Sequence, residues 1–151
     1  MATYSKERAI KEITPLSERD FFYIADRSKS EFTYPIHSHA EYELNFTENA
    51  KGVKRIVGDS VEVIGDYDLH LIACKDLEHV LEQNECCSDR VREITIQFSP
   101  DIFEKNFTNK AQFDSIRKML ERAQRGIAFP MSAILKIYPT LSTLSYEEDS
   151  F

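Results

Sequence analysis

Up to about Ser99-Pro100 the apolar residues of this chain recur at every second position; beyond it they recur at helical spacing. Side chains alternate between faces along a strand and return every three to four residues along a helix, so this change of period divides the chain by secondary structure. Phe21–Ile24, Glu41–Phe46, Val53–Val57, Ser60–Ile64, Asp68–Ala73 and Arg92–Phe98 read as strands, and Ser28-Lys-Ser30 reads as loop. Gly58-Asp59 predicts a tight hairpin, and Gly65-Asp66 marks the next turn. Asp68–Ala73 is the more buried strand, and Arg92–Phe98 places Ile94, Ile96 and Phe98 on one side. Many short strands at close spacing predict a sandwich or barrel.

After Ser99 the signals are helical. Pro100 suits a first helical position, and Asp101–Phe107 reads as a short helix. Asn109-Lys-Ala-Gln112 resembles a capping box opening a second helix, with Phe113, Ile116, Leu120 and Ala123 on one stripe and Gly126 placed to end it. A third helical stretch runs from Met131 to Leu144, interrupted by Pro139, which cannot donate in the helical ladder. The expected fold is mostly β with C-terminal helices: an N-terminal arm over 1–20, a barrel over 21–98, and a packing or dimerisation segment of two or three α-helices over 99–151.

One segment carries most of the chemistry. Tyr34-Pro-Ile-His37-Ser-His39-Ala-Glu-Tyr-Glu43 sets two imidazoles and a carboxylate in an H-x-H-x-x-x-E spacing. On a continuous strand His37, His39, Glu41, Glu43 and Asn45 would share one face, and Ala40, Tyr42, Leu44 and Phe46 the other. A face bearing imidazoles and carboxylates must meet water, a ligand or a metal. His79, after the Asp68–Ala73 strand, is a further candidate, and Tyr42 and His70 are weaker ones. Imidazole and carboxylate donors suit Fe(II), Zn, Mn or Ni, which makes His37, His39, Glu43 and His79 a candidate divalent-metal set. The same residues equally suit a solvated polar cavity in which histidines bond to carboxylates.

Composition narrows the setting. The chain has 151 residues, enough for one domain with a real core, and a formal charge of −7 without a dense basic stripe. Duplex binding depends on Lys and Arg neutralising phosphates, so direct nucleic-acid binding by this chain is not expected. There is no membrane-length apolar run and no signal pattern, so the expected location is the cytoplasm. Cys74, Cys86 and Cys87 are odd in number and lack C-x-x-C spacing, which predicts reduced thiols.

His37-x-His39-x(3)-Glu43 resembles the first cupin motif, with its closing glycine displaced to Gly52, and Gly65 through His79 resembles the second, without the usual proline and second glycine. Phe32-x-Tyr-Pro-Ile-His-Ser-His-Ala-Glu-Tyr-Glu-Leu, the Val57-Gly-Asp hairpin, Gly65-Asp-x-Asp-Leu, the His79 turn and Ile94-Thr-Ile-Gln-Phe98 together look like the N-terminal sensor domain of AraC-type transcription regulators. Ser99 to Phe129 also resembles the segment that follows the barrel in that family. The resemblance covers roughly Phe21 to Leu144 and rests on the order of the features.

The resemblance implies a cupin-like double-stranded β-helix, or jelly-roll, barrel that senses a small polar effector, a sugar among the candidates, at His37, His39, Glu43, Asn45 and His79. It implies a homodimer, no required cofactor, and DNA reading by a separate C-terminal helix-turn-helix domain, expected downstream of the abrupt end in Tyr-Glu-Glu-Asp-Ser-Phe151. Arg125-Gly-Ile-Ala-Phe-Pro130 is too long and apolar for a compact helix-turn-helix turn, so the helices of this chain are expected to pack or dimerise. The rival readings are a metal-dependent cupin enzyme, a dioxygenase or isomerase, and a barrel that binds no ligand and serves only to dimerise.

Overall fold

The computed structural model describes residues 9–16, 20–102 and 110–147. Ten strands form two five-stranded sheets. The first contains β1 (Ile10–Lys11), β3 (His37–Ser38), β8 (His79–Glu82), β5 (Lys54–Val57) and β6 (Ser60–Val63), in that order. The second contains β10 (Ile127–Ala128), β7 (Tyr67–Ile72), β4 (Tyr42–Glu48), β9 (Val91–Phe98) and β2 (Phe22–Lys29). All pairs are antiparallel except β1 with β3. The sheets face one another across a shared interior, in a barrel-like sandwich followed by helices α1 (Asp114–Arg122), α2 (Met131–Leu141) and α3 (Leu144–Glu147). The expected mostly-β barrel with C-terminal helices is therefore what the chain forms.

The main apolar core lies outside the sandwich, between the second sheet and the helices. Phe46, Leu69, Ile94, Ile134 and Leu141 are buried together, with Leu44, Ile96, Phe129 and Tyr138 packed against them. Leu71, Ala73 and Ala123 continue this layer beneath α1. Each fully buried large side chain contributes roughly 1.5–3 kcal/mol relative to exposure. A smaller cluster of Phe32, Ala50, Val53, Ile64, Cys86 and Val91 forms a separate apolar core. Polar contacts add to the helix attachment: Arg92 donates to Asp26 at 3.0 and 2.7 Å and to the Ser142 carbonyl at 2.8 Å, while the Tyr138 hydroxyl donates to Glu48 at 2.9 Å. The Arg92 guanidinium also lowers the Asp26 carboxyl below its ordinary value.

Several local expectations need correction. The strand predicted at Phe21–Ile24 runs on through Ser28 and Lys29, because both pair with β9 at Arg92 and Val91. The strand carrying the histidines is not continuous: β3 ends at Ser38 in one sheet and β4 begins at Tyr42 in the other, so Glu41 does not share the face of Glu43. The Glu41 carboxylate instead accepts from the Thr14 hydroxyl at 2.8 Å, and Ala40 is exposed. The helix expected from Asp101 starts there, but its remainder lies outside the described residues, as does Asn109 of the expected capping box. α1 begins at Asp114, after a 3-10 turn over Ala111–Phe113 with no side-chain cap.

Other details match. Gly58 stands in the β5–β6 hairpin with φ 59°, a conformation that favours glycine, and Val57 pairs with Ser60. Gly126, φ 78°, follows the turn after α1, where an added Cβ would lie 2.7 Å from a Val57 methyl carbon. Ile127–Ala128 then adds β10 to the edge of β7, so this linker is sheet, not the turn of a helix-turn-helix. Pro139, by contrast, does not interrupt α2, which runs through it to Leu141; the helical stretch breaks instead at Ser142–Thr143, before α3. Cys74, Cys86 and Cys87 are free thiols.

Candidate functional site

The interior face of the second sheet is polar. Register places Glu43 beside Ile72 and Gln97, Asn45 beside His70 and Thr95, and Thr47 beside Asp68 and Glu93. Period-two alternation therefore sends Leu44 and Phe46 outward to the helices while Glu43, Asn45 and Thr47 face the other sheet. All of these inward polar residues are buried. Between the sheets lies a cavity of about 620 Å³ whose lining includes Tyr23, Ala25, Glu43, Asn45, His70, Glu93, Thr95 and Gln97 from the second sheet and His37, Arg55 and His79 from the first. Glu12 and Pro15 contribute to the wall from the N-terminal segment.

His37, His39 and His79 gather on one side of this interior. β3 and β8 pair with His37 directly opposite His79, and the two rings stand 4.3 Å apart. His39, just past β3, brings its ring within 4.9 Å of His79. Each of the three rings bonds through Nδ1 at 2.9 Å to a backbone carbonyl, of Pro35, Glu41 and Leu77 respectively. A carbonyl only accepts, so each Nδ1 carries the proton and the three Nε2 atoms are turned the other way. Glu43 faces them from β4, with carboxylate oxygens 3.2 Å from His39 Nε2 and 3.6 Å from His79 Nε2. Gln97 donates to the same carboxylate at 3.1 Å.

Electrostatics separates the three groups. Burial alone would raise the Glu43 carboxyl, but the His39 bond and the nearby imidazole charges dominate and hold it down to about 2. Burial lowers the His79 imidazole to about 4 despite the opposing pull of Glu43. Burial also opposes charge on His39, yet the Glu43 bond and charge prevail and raise it. The carboxylate therefore favours charge on His39, whereas His79 beside them is neutral at physiological pH.

A second network spans the sandwich farther along. Arg55 of β5 donates to Asp68 of β7, tying one sheet to the other, and to Glu62 at 2.6 Å. The other Asp68 oxygen lies 3.0 Å from His70 Nδ1. Asn45 donates to Glu93 at 3.0 Å and to Thr95 at 3.1 Å, and Lys29 donates to Glu93 at 2.6 Å.

Of the residues singled out from sequence, His37, His39, Glu43 and His79 come together as one cluster, although His39 is enclosed and does not itself line the cavity. Asn45 reaches the cavity apart from them, in the Glu93–Thr95 group. His70 reaches it too, whereas Tyr42 lies on the opposite, helix-facing side. Arg55, Asp68, Glu93, Thr95 and Gln97 were missed. The polar residues alternating with Ile94, Ile96 and Phe98 face this interior instead of bulk water, a distinction that the alternation alone does not carry.

The fold and cavity define a class, a barrel-like β domain with a polar interior and helices packed on its outer face. No family model matches the chain, and no curated protein matches it. Among solved structures it resembles ToxT from Vibrio cholerae O395 bound to (E)-4-(8-methylnaphthalen-1-yl)but-3-enoic acid, at 10% identity and a TM-score of 0.51, over 87% of this chain and 51% of that one. A 1.65 Å structure of ToxT in a P21 form aligns at 11% identity and a TM-score of 0.49, over 81% of this chain and 48% of that one. The chain thus spans about half the length of the ToxT chain, and the likeness is one of fold.

Proposed function

We propose that this chain is the effector-sensing domain of an AraC-type transcription regulator, binding a small polar molecule between its sheets and acting on DNA through a separate helix-turn-helix domain. The observation that carries the reading is the set of buried polar residues around a cavity of about 620 Å³. Ligand sites of several hundred Å³ with a few convergent polar groups are the usual form of small-molecule pockets. A barrel serving only to dimerise would fill this interior with apolar side chains. The fold likeness to ToxT, an AraC-family regulator, supports the same reading, and one ToxT structure holds an organic acid.

The polar rows favour a ligand rich in hydroxyl groups. Asn45 Oδ1, on the cavity wall, is buried with no hydrogen-bond partner among the described residues, and a buried polar atom left unmade costs roughly 1–3 kcal/mol. Asn45 would accept from such a ligand, with His70 and Thr95 beside it. Effector binding would shift the balance between two domain or dimer arrangements only to the extent that its affinity for them differs. Exposed Met131 and Leu135, one turn apart on α2, supply an apolar patch for a homodimer.

Thermal unfolding of the purified chain against a panel of sugars, polyols and hydroxy acids tests the reading. One chemical class should raise the midpoint with dose, approaching about 2.7 kcal/mol of stabilisation at a hundredfold excess over Kd. Ala25→Leu, which projects extra carbon into the cavity, should abolish the shift. A panel without any saturable shift, or a shift untouched by Ala25→Leu, overturns the reading.

A further inference from the structure

We propose that the edge strand β2 couples the wall of the cavity to the C-terminal helix α3: the Lys29–Glu93 pair on its inner face, and a clasp of Asp26, Arg92 and Ser145 on its outer face, hold or release α3 together. The coupling stands on its own; its use in signalling a bound effector rests on the sensor reading.

Alternation puts the two contacts back to back. Tyr23, Ala25, Arg27 and Lys29 line the cavity, while Asp26 reaches the helices. On β9, the partner of β2, Glu93 faces inward and its neighbour Arg92 faces outward. Lys29 donates to Glu93 at 2.6 Å on one side of the strand pair, and on the other Arg92 grips both Asp26 oxygens at 3.0 and 2.7 Å. Two consecutive residues of β9 thus hold β2 from opposite faces. β2 ends its sheet and has a backbone ladder on one side only, so these side-chain pairs decide more of its placement than they would in a central strand.

α3 depends on the outer clasp. Its four residues are far fewer than a helix needs to persist alone. Leu144 packs on the main core, the Ser145 hydroxyl donates to Asp26 at 2.9 Å, and Arg92 donates to the Ser142 carbonyl, just before the helix, at 2.8 Å. Asp26 and Arg92 therefore do two things at once: they close β2 on β9, and they dock α3 on both strands. α3 has two discrete states, docked and helical or released and unfolded, which is what a coupling needs in order to switch instead of merely bending. Loss of the Lys29–Glu93 contact frees the inner face of β2, moves Asp26 relative to Arg92 and releases α3. A molecule seated against that inner face buttresses the strand and favours the docked state.

The test needs no effector. Hydrogen exchange is followed by mass spectrometry over residues 142–147, with residues 54–63 of the first sheet as internal reference. Asp26→Asn and Ser145→Ala should each speed exchange over 142–147 by about threefold or more, the size expected for members of one hydrogen-bond network. Lys29→Met removes only the inner contact, yet it should do the same, with 54–63 unchanged. In the Asp26→Asn background, where α3 is already released, Lys29→Met should add nothing. Glu93→Gln repeats the inner test should Lys29→Met fail to fold by circular dichroism. Unchanged exchange over 142–147 in folded Lys29→Met and Glu93→Gln, or effects of Lys29→Met and Asp26→Asn that simply multiply, overturns the coupling. Equal acceleration over 54–63 marks a general loss of stability and overturns it too. Failure of every sugar, polyol and hydroxy acid to stabilise the chain strikes the sensor reading and leaves this result untouched.

Discussion

Stability in the presence of chelator should peak near pH 6.5, because the buried histidine–carboxylate cluster titrates in three separate windows. Burial holds native His79 at about 4 against an ordinary 6.5, so between those values the unfolded chain binds the extra proton and stability falls as pH falls. The whole difference corresponds to about 3 kcal/mol, of which roughly half is lost between pH 6.5 and 5. Glu43, held at about 2 against 4.5, contributes stability that is present above 4.5 and disappears as pH falls toward 2. His39 has the opposite sign. Its native pKa is raised from 6.5, so its contribution is complete below that value and is lost as pH rises through the raised one. The perturbation that isolates His79 is acidification from pH 6.5 to 5, before Glu43 takes part. The assay is urea unfolding followed by circular dichroism in a chelator-containing buffer series, with His79→Gln as the non-titrating reference. The natural protein should lose roughly 1–2 kcal/mol more than the variant across that interval. Equal slopes for the two proteins, or a natural protein that gains stability on acidification, would refute the placement of a neutral His79 in a desolvated site.

Other consequences follow from the same packing. Asp68→Ala removes the buried partner of Arg55 and should cost about 3 kcal/mol, whereas Glu62→Ala, on the exposed side of the same guanidinium, should cost under about 1 kcal/mol; denaturant midpoints compare them. Phe46→Ala empties part of the core between the second sheet and the helices and should cost about 3–5 kcal/mol in unfolding experiments, with effector affinity unchanged in the folded fraction. Light scattering should give a dimer mass, and Leu135→Glu on the exposed face of α2 should return the mass of one subunit; one-subunit mass for the natural protein at all concentrations contradicts the dimer.

The period of the apolar residues made much of the fold legible. The Gly58 hairpin, the β9 alternation and the α1 stripe ending near Gly126 all depend on short-range geometry that single residues announce. What stayed hidden depended on partners distant in sequence. Lys29 looks like loop until Val91 pairs with it. The break between β3 and β4 is invisible because alternation continues across it while the chain changes sheets. The histidine cluster was readable from spacing, since H-x-H with a carboxylate four residues on is a local pattern. The Arg55–Asp68 tie and the polar face of β9 were not, because a polar strand face reads the same whether it meets bulk water or an enclosed cavity. The location of the core was concealed for the same reason: alternation says that one face of β4 is apolar, and only the topology shows that this face meets the helices.

The account rests on the interior between the two sheets receiving a small polar molecule. Equilibrium dialysis of the natural protein and Ala25→Leu against a metabolite extract, with mass spectrometry of what each retains, measures this directly. The prediction is a hydroxyl-rich compound concentrated by the natural protein and absent from the variant. Retention of nothing, or of the same compound to the same extent by both proteins, would contradict it.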